Sequence, residues 1–158
     1  MRFALWKYPV HFLAYGFGTG LMPIMPGTFG SLVGVAFFWF MAPLAPLSYA
    51  GIVTGLAIAG VFICGQTARD LGAVDPGFIV WDEIVGLLVA IYLMPRDWRW
   101  MVNGFILFRL FDVWKPYPIR AVEENLGGGL GIVMDDVLAG LYTLAILQLV
   151  RWSLRRRL

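Results

Sequence analysis

The chain has 158 residues, of which 60% are hydrophobic and 16% aromatic, while only 14% are charged. An ordinary soluble domain carries roughly 25% charged residues, so this composition is typical of a membrane protein. The net charge is only +2 and no basic face is interleaved with aromatic residues, which argues against a nucleic-acid partner. The single cysteine, Cys64, excludes a disulfide framework within one chain and predicts a buried, inert thiol. No linker or low-complexity stretch divides residues 1–158, so we expect one domain.

The first half of the chain predicts an interfacial helix, an irregular loop and a helical hairpin. Residues 8–17 favour a short amphipathic helix, with Arg2, Trp6, Lys7 and Tyr8 suited to the headgroup boundary. Residues 16–31 are rich in glycine and proline and predict a loop or re-entrant segment. Residues 31–44 and 48–65 predict a transmembrane hairpin, with Ser31 as the N-cap of its first helix. Residues 66–77 predict a polar connection.

The second half contains three apolar runs, residues 78–94, 101–114 and 130–150, and each carries charge at one end. The connections between the runs alternate sides, so the helices should run antiparallel. All the charged ends then gather on one side of the bundle. Two runs have only about 14 to 17 residues, fewer than the roughly 20 needed to cross the hydrocarbon core. The fold class predicted is therefore an all-α integral membrane bundle with short or broken helices and one polar end.

Two acidic pairs lie at this polar end: Asp82 with Glu83, and Asp135 with Asp136. Carboxylates at membrane depth tend to face a cavity, a partner or an ion. Because almost no histidine or cysteine is present, oxygen ligands and a hard ion such as Mg²⁺ are favoured. The alternative is that acidic residues in a first helical turn simply complement the helix dipole.

Arg109, Asp112 and Lys115 recur every three residues and line one broad face of a helix that Pro116 ends. Arg109 can offer a planar fork to a phosphate, and Lys115 can add a mobile point charge. Alternatively, Arg109 and Asp112 only pair with each other along the helix.

Other polar or flexible positions are more ambiguous. Thr28 and Ser31 can contact phosphate or merely cap a helix. The glycines of residues 127–131 can let backbone N–H groups approach a phosphate or can form a flexible loop. His11, the sole histidine, favours packing at headgroup level over catalysis. The C-terminal arginines suit contact with anionic lipid.

Four segments in this order resemble the phosphatidylglycerophosphatase A family: GFGTGLMPIMPGTFGS, DPGFIVWDEIVG, FRLFDVWKPYPI and GGGLGIVMDDVLAG. They cover most of residues 16–140. The resemblance implies an all-helical, Mg²⁺-dependent phosphatase of the bacterial inner membrane. Such an enzyme converts phosphatidylglycerophosphate to phosphatidylglycerol, with its active site facing the cytoplasm. Its expected partners are this substrate and membrane lipids; the sequence makes no prediction of the oligomeric state.

The resemblance and the charge pattern together give a hypothesis for the site. The expected metal ligands are Asp82, Glu83, Asp135 and Asp136; the catalytic residues Asp82, Glu83, Asp112 and Asp136; and the phosphate-binding residues Arg109, Lys115, Thr28 and Ser31. Either water attacks directly or a carboxylate first forms an acyl phosphate.

Two other functions are compatible with parts of the pattern. A small ion- or proton-coupled transporter also uses intramembrane carboxylates, although we expect those near mid-membrane with access from both sides. The second is a phosphotransferase that joins two lipid building blocks. Such an enzyme should carry a longer array of spaced aspartates on one helix pair, and this sequence lacks that array.

Overall fold

The structure, a computed structural model, describes residues 8–74 and 76–156, and it confirms an all-helical bundle. The predicted anchors Arg2, Trp6 and Lys7 lie outside the described residues. A 3₁₀ segment, Gly16–Leu21, follows the first helix. The α-helices are α1 (Pro9–Ala14), α2 (Pro26–Met41), α3 (Pro46–Leu71), α4 (Trp81–Ala90), α5 (Trp98–Trp114), α6 (Ile119–Asn125) and α7 (Gly128–Arg155).

Helix α4 forms the centre of the bundle and packs against α2, α3, α5 and α7. It is apolar on nearly every side, which is typical of a helix surrounded by others. Glycines allow this close approach: a Cβ on Gly86 would lie 2.7 Å from the carbonyl oxygen of Asp136, and one on Gly34 would lie 3.1 Å from that of Ile84. The carboxylates at the start of α4 are thereby held in the interior.

Two helices, α3 and α7, are long and apolar enough to cross a membrane. Only 22% of the most apolar window of α3 is buried within the protein, against 50% for α7. Helix α4 has ten residues and is therefore about 15 Å long, too short for a hydrocarbon core of about 30 Å. The fold is compatible with a membrane protein in which α4 reaches only partway.

Several predicted boundaries are wrong. Helix α2 begins at Pro26, which suits the first position of a helix, so Ser31 lies inside it and is not its N-cap. Helix α3 continues to Leu71, since side-chain hydrogen bonds among Gln66, Arg69 and Asp70 support its polar last turns. Residues 66–71 are therefore helical rather than a connection.

Two further differences concern the second half. Helix α5 begins at Trp98 because the carboxylate of Asp97 caps it by accepting the N–H of Arg99 at 2.8 Å. The segment between α5 and α7, predicted as a plain connection, contains α6. Helix α6 contributes one of the charged residues described below.

Arginine–tryptophan pairs occupy the end of the bundle where α2, α4 and α7 finish. The pairs are Arg96 over Trp39 at 4.1 Å, Arg99 over Trp98 at 5.7 Å and Arg156 over Trp152 at 3.6 Å. Aromatic and basic residues of this kind are enriched at membrane–water interfaces. The acidic residues of α4 and the charged end of α5 lie toward the opposite end.

Candidate metal and phosphate site

Three carboxylates meet in the interior, and we call Asp82, Glu83 and Asp136 the carboxylate cluster. Asp82 and Glu83 come from the first turn of α4, whereas Asp136 lies in the third turn of α7. One oxygen from each lies within 4.8 Å of the others. Asp82 is 8% exposed and Asp136 is 2% exposed, so the cluster is largely withdrawn from solvent.

The carboxylate cluster has unsatisfied oxygens. Asp82 Oδ1, Glu83 Oε2 and Asp136 Oδ1 are buried and have no hydrogen-bond partner among residues 8–74 and 76–156. Burying a carboxylate without a partner is costly, and neighbouring like charges add repulsion. A cation balances such charge, and three oxygen donors suit a hard divalent ion. The donor set therefore fits a metal ion.

Arg109 stands beside the cluster. Its Nη1 lies 3.7 Å from Glu83 Oε1, and the same nitrogen donates to the carboxylate of Asp112 one turn further along α5. The Arg109 side chain is only 19% exposed. The predicted pairing of Arg109 with Asp112 is present, but it occurs at the edge of a buried acidic site rather than on an exposed helix face.

The start of α2 closes the site on another side. A Cβ on Gly27 would overlap Glu83 Oε1 and would lie 3.0 Å from Arg109 Nη1. Only glycine fits this position without displacing one of these groups. The next residue, Thr28, has a buried hydroxyl oxygen with no hydrogen-bond partner. Thr28 thus supplies a polar group, unpaired among the described residues, next in sequence to the glycine that closes on Glu83 and Arg109.

A second charged group, which we call the lysine junction, consists of Lys115, Glu123 and Asp135. Lys115 Nζ donates to Glu123 Oε1 and to Asp135 Oδ2, both at 2.7 Å. Burial lowers the pKa of Lys115, but the hydrogen bonds and charges of the two carboxylates outweigh it and raise that pKa above its ordinary value. Lys115 is therefore charged and ties α5, α6 and α7 together.

Comparison with known proteins decides the family. The sequence model of the family described as phosphatidylglycerophosphatase A matches residues 12–151. The chain belongs to the phosphatidylglycerophosphatase A family. No solved structure matches it.

Curated relatives extend over most of this phosphatidylglycerophosphatase A family member. The chain is 45% identical over 150 residues to phosphatidylglycerophosphatase A of Escherichia coli, covering 92% of this chain and 87% of the relative. It is 40% identical over 146 residues to phosphatidylglycerophosphatase A of Haemophilus influenzae, covering 91% and 90%. A Bacteroides thetaiotaomicron protein, whose name carries a provisional phosphatidylinositol-3-phosphatase assignment, is 36% identical over 145 residues, covering 87% and 90%.

In this family member the structure separates the two neighbouring aspartates Asp135 and Asp136. Successive side chains on a helix point about 100° apart. Asp136 faces Asp82 and Glu83, whereas Asp135 faces Lys115, and Asp135 Oδ1 also accepts the backbone N–H of Asp136 at 2.9 Å. Three of the four expected metal ligands come together, and the fourth lies in the lysine junction.

Sequence reasoning missed Glu123. The residue is charged and lies in a segment predicted to be a connection, so its residue type alone did not distinguish it from solvent-exposed glutamates. One signal could have found it. Ile119 and Glu123 are four residues apart, about one helical turn, and they lie between Pro118 and Gly127, a spacing that indicates the short helix α6.

The Ser31 hydroxyl is already engaged within α2. Its Oγ donates to the carbonyl oxygen of Gly27 at 2.9 Å, so this hydrogen is not donated to the carboxylate cluster.

Glycines near the start of α7 have a packing role: a Cβ on Gly129 would lie 2.7 Å from the backbone nitrogen of Gly65 on α3, and one on Gly131 would overlap the Leu126 carbonyl oxygen. The sequence suggested either a flexible loop or a loop whose N–H groups approach a phosphate. In the structure these two glycines instead allow close helix packing.

Neither His11 nor Cys64 is a member of the carboxylate cluster. His11 is buried, with Nδ1 2.9 Å from Thr67 Oγ1 and Nε2 3.4 Å from Asp70 Oδ2, so it connects α1 to α3. This agrees with a packing role. Cys64 is fully buried in the hydrophobic core.

Proposed function

We propose that this protein is a Mg²⁺-dependent lipid phosphatase that hydrolyses the terminal phosphomonoester of phosphatidylglycerophosphate to give phosphatidylglycerol and phosphate. Membership of the phosphatidylglycerophosphatase A family and the names of the two relatives that are 45% and 40% identical to this chain support the substrate. The observation that carries the chemistry is the carboxylate cluster, with its unpartnered oxygens beside Arg109.

The carboxylate cluster would hold the metal ion through Asp82, Glu83 and Asp136. When bound, Mg²⁺ supplies positive charge that offsets the charge on the phosphate and lowers the pKa of an attacking water. Asp135 was also an expected ligand; its two hydrogen bonds, to Lys115 and to the Asp136 N–H, favour a supporting role instead.

Arg109 is the residue best placed to bind the terminal phosphate. Asp112 accepts from Nη1 of the Arg109 guanidinium group, which leaves Nη2 and Nε to donate to phosphate oxygens. The Thr28 hydroxyl, which is buried and has no partner, can donate a further hydrogen bond. Asp112 would therefore orient Arg109 rather than contact the metal.

We favour direct attack by water over an acyl-phosphate intermediate. If all three cluster carboxylates ligate the metal ion, as we propose, none is left as an independent nucleophile. Hydroxylamine added during turnover should trap no protein hydroxamate if water attacks directly. A trapped hydroxamate would identify the acyl phosphate.

We also propose that the protein is an inner-membrane protein with its site on the cytoplasmic side. The apolar surface of α3 that is not buried within the protein suits the bilayer interior. The arginine–tryptophan pairs, at the end of the bundle opposite the site, suit a membrane–water interface. The acyl chains of the substrate would stay in the lipid while its headgroup enters the polar end.

The relatives' names do not all give one substrate. Phosphatidylglycerophosphate and phosphatidylinositol 3-phosphate are both glycerophospholipids whose headgroup carries a phosphodiester and a phosphomonoester. We favour phosphatidylglycerophosphate, because the two relatives of highest identity shown above carry that name.

Phosphate release from phosphatidylglycerophosphate by detergent-solubilised protein, with Mg²⁺ and with excess chelator, tests the proposal. We expect release only with Mg²⁺, and strong loss of release in Arg109→Ala. Arg99→Ala is the matched control, because Arg99 is exposed and lies at the other end of α5. No Mg²⁺-dependent release by folded protein would refute the assignment.

A further inference from the structure

A groove of about 510 Å³ opens where α5 ends and α6 begins. Its lining includes Trp114, Lys115, Tyr117, Arg120 and Glu124. The groove is next to the proposed catalytic site, because Lys115 lines it and also donates to Asp135, the neighbour of Asp136. A headgroup held at the carboxylate cluster therefore has this groove beside it.

The groove contains an uncompensated cation. Arg120 is exposed, and none of the ion pairs among residues 8–74 and 76–156 includes it. Glu124 is four residues further along α6 and lines the same groove, yet it does not pair with Arg120. Lys115 is already paired with Glu123 and Asp135, so Arg120 is the cation of the lining that has no ion pair among the described residues. A single guanidinium suits an anion with one negative charge.

The aromatic residues of the groove suit the membrane surface. Trp114 is 64% exposed and Tyr117 is 84% exposed. Amphipathic rings of this kind prefer the headgroup level of a bilayer. The carbonyl oxygen of Tyr117 accepts a hydrogen bond from the hydroxyl of Tyr142 on α7 at 3.1 Å, which fixes the segment to the bundle. The groove therefore has a fixed position on the bundle, at the level where a lipid headgroup lies.

A headgroup with two phosphates is long enough to reach the wall of the groove from Arg109. Arg109 and Lys115 are six residues apart, which corresponds to about 9 Å along α5. The three-carbon glycerol unit between the two phosphates of phosphatidylglycerophosphate spans about 7 Å, given bond lengths of about 1.5 Å. One substrate molecule can therefore reach from Arg109 to the groove.

We propose that this groove binds the phosphodiester of the lipid substrate, with Arg120 as its principal donor. Arg109 and the carboxylate cluster then take the terminal phosphate, so the enzyme measures the separation of two phosphates. The inference rests on the proposed function. It makes Arg120 a specificity-determining residue, one that recognises a group which does not react.

The test uses full-length protein in neutral-detergent micelles that contain Mg²⁺ and phosphatidylglycerophosphate but no other lipid. It compares kcat and KM of the wild type with Arg120→Ala, Arg120→Lys and the control Arg99→Ala. Inhibition by inorganic phosphate is measured in parallel, because inorganic phosphate reports on the terminal-phosphate site alone. A second series adds phosphatidylserine, so that a neighbouring anionic lipid can be distinguished from the substrate.

We expect Arg120→Ala to raise KM about tenfold, the effect of losing one charge-assisted contact of about 1.4 kcal/mol. Its kcat and its inhibition by phosphate should stay within about twofold of wild type, and Arg120→Lys should recover most of the KM. The KM of Arg99→Ala should not change.

An unchanged KM in Arg120→Ala would overturn the inference, as would an equal weakening of inhibition by inorganic phosphate. A defect that appears only after phosphatidylserine is added would also overturn it, because the groove would then bind a neighbouring lipid. If the wild type releases no phosphate, the proposed function itself fails. If the wild type is active and only the Arg120 result is negative, this inference alone fails.

Discussion

The carboxylate cluster and the lysine junction are adjacent, yet their charges are arranged in opposite ways. In the lysine junction both carboxylates accept a hydrogen bond from Lys115 at 2.7 Å. In the carboxylate cluster three buried oxygens have no hydrogen-bond partner in the described part of the chain, and Arg109 Nη1 is 3.7 Å from Glu83 Oε1. Compensated acidic residues can hold a fold together, whereas a group of uncompensated buried carboxylates is typical of a site for an ion or a ligand.

The largest expected effect comes from Asp136→Asn in the carboxylate cluster. It removes a proposed metal ligand while keeping the side-chain shape, so phosphate release should fall about 10³-fold, equivalent to several kcal/mol of barrier. Thermal stability without metal should not fall, because a buried charge is removed. Kinetics, Mg²⁺ calorimetry and thermal unfolding in detergent measure these effects. Unchanged Mg²⁺ affinity would contradict the assignment.

Gly27→Ala should disturb the cluster from the side of α2. The added methyl group overlaps Glu83 Oε1 and crowds Arg109, so we expect activity to fall about 10- to 100-fold, as when a supporting contact to a metal site is lost. Gly51→Ala on α3 is the matched control, because a Cβ there meets nothing within 4 Å. Equal activity of the two variants would show that α2 does not shape the site.

Lys115→Met should act on the fold rather than on metal binding. It leaves Asp135 buried without its cation, and we expect the free energy of unfolding to fall by about 2 kcal/mol. The double variant Lys115→Met/Asp135→Asn should recover more than half of that loss. Denaturation in detergent measures both. A comparable loss of Mg²⁺ affinity would place the junction and the cluster in one metal site.

The smallest effect should come from Glu123→Gln. The Glu123 side chain is 37% exposed, so its ion pair with Lys115 is screened by solvent and should contribute less than about 1 kcal/mol. The same denaturation assay measures this change. A loss as large as that of Lys115→Met would mean that Glu123, rather than Asp135, is the main partner of Lys115.

Much of the fold and part of the site could be predicted from the sequence. Apolar runs of helical length and proline-marked turns indicate an all-helical bundle, and alternating connections put the charged ends on one side. The convergence of Arg109 with Glu83 and of Lys115 with Asp135 confirms that step. Helix boundaries were harder: the glycines of residues 27–31 suggested a loop, but packing against α4 stabilises them as helix.

The sequence by itself determined which residue types are available: four carboxylates in two adjacent pairs, and Arg109 and Lys115 near them, in a chain otherwise dominated by apolar residues. Only the tertiary structure decided how they are grouped. Asp135 and Asp136 are chemically identical and adjacent, and their roles differ because the turn of α7 directs one toward α4 and the other toward Lys115. The partner that each side chain meets depends on distant segments of the chain, which no local pattern contains.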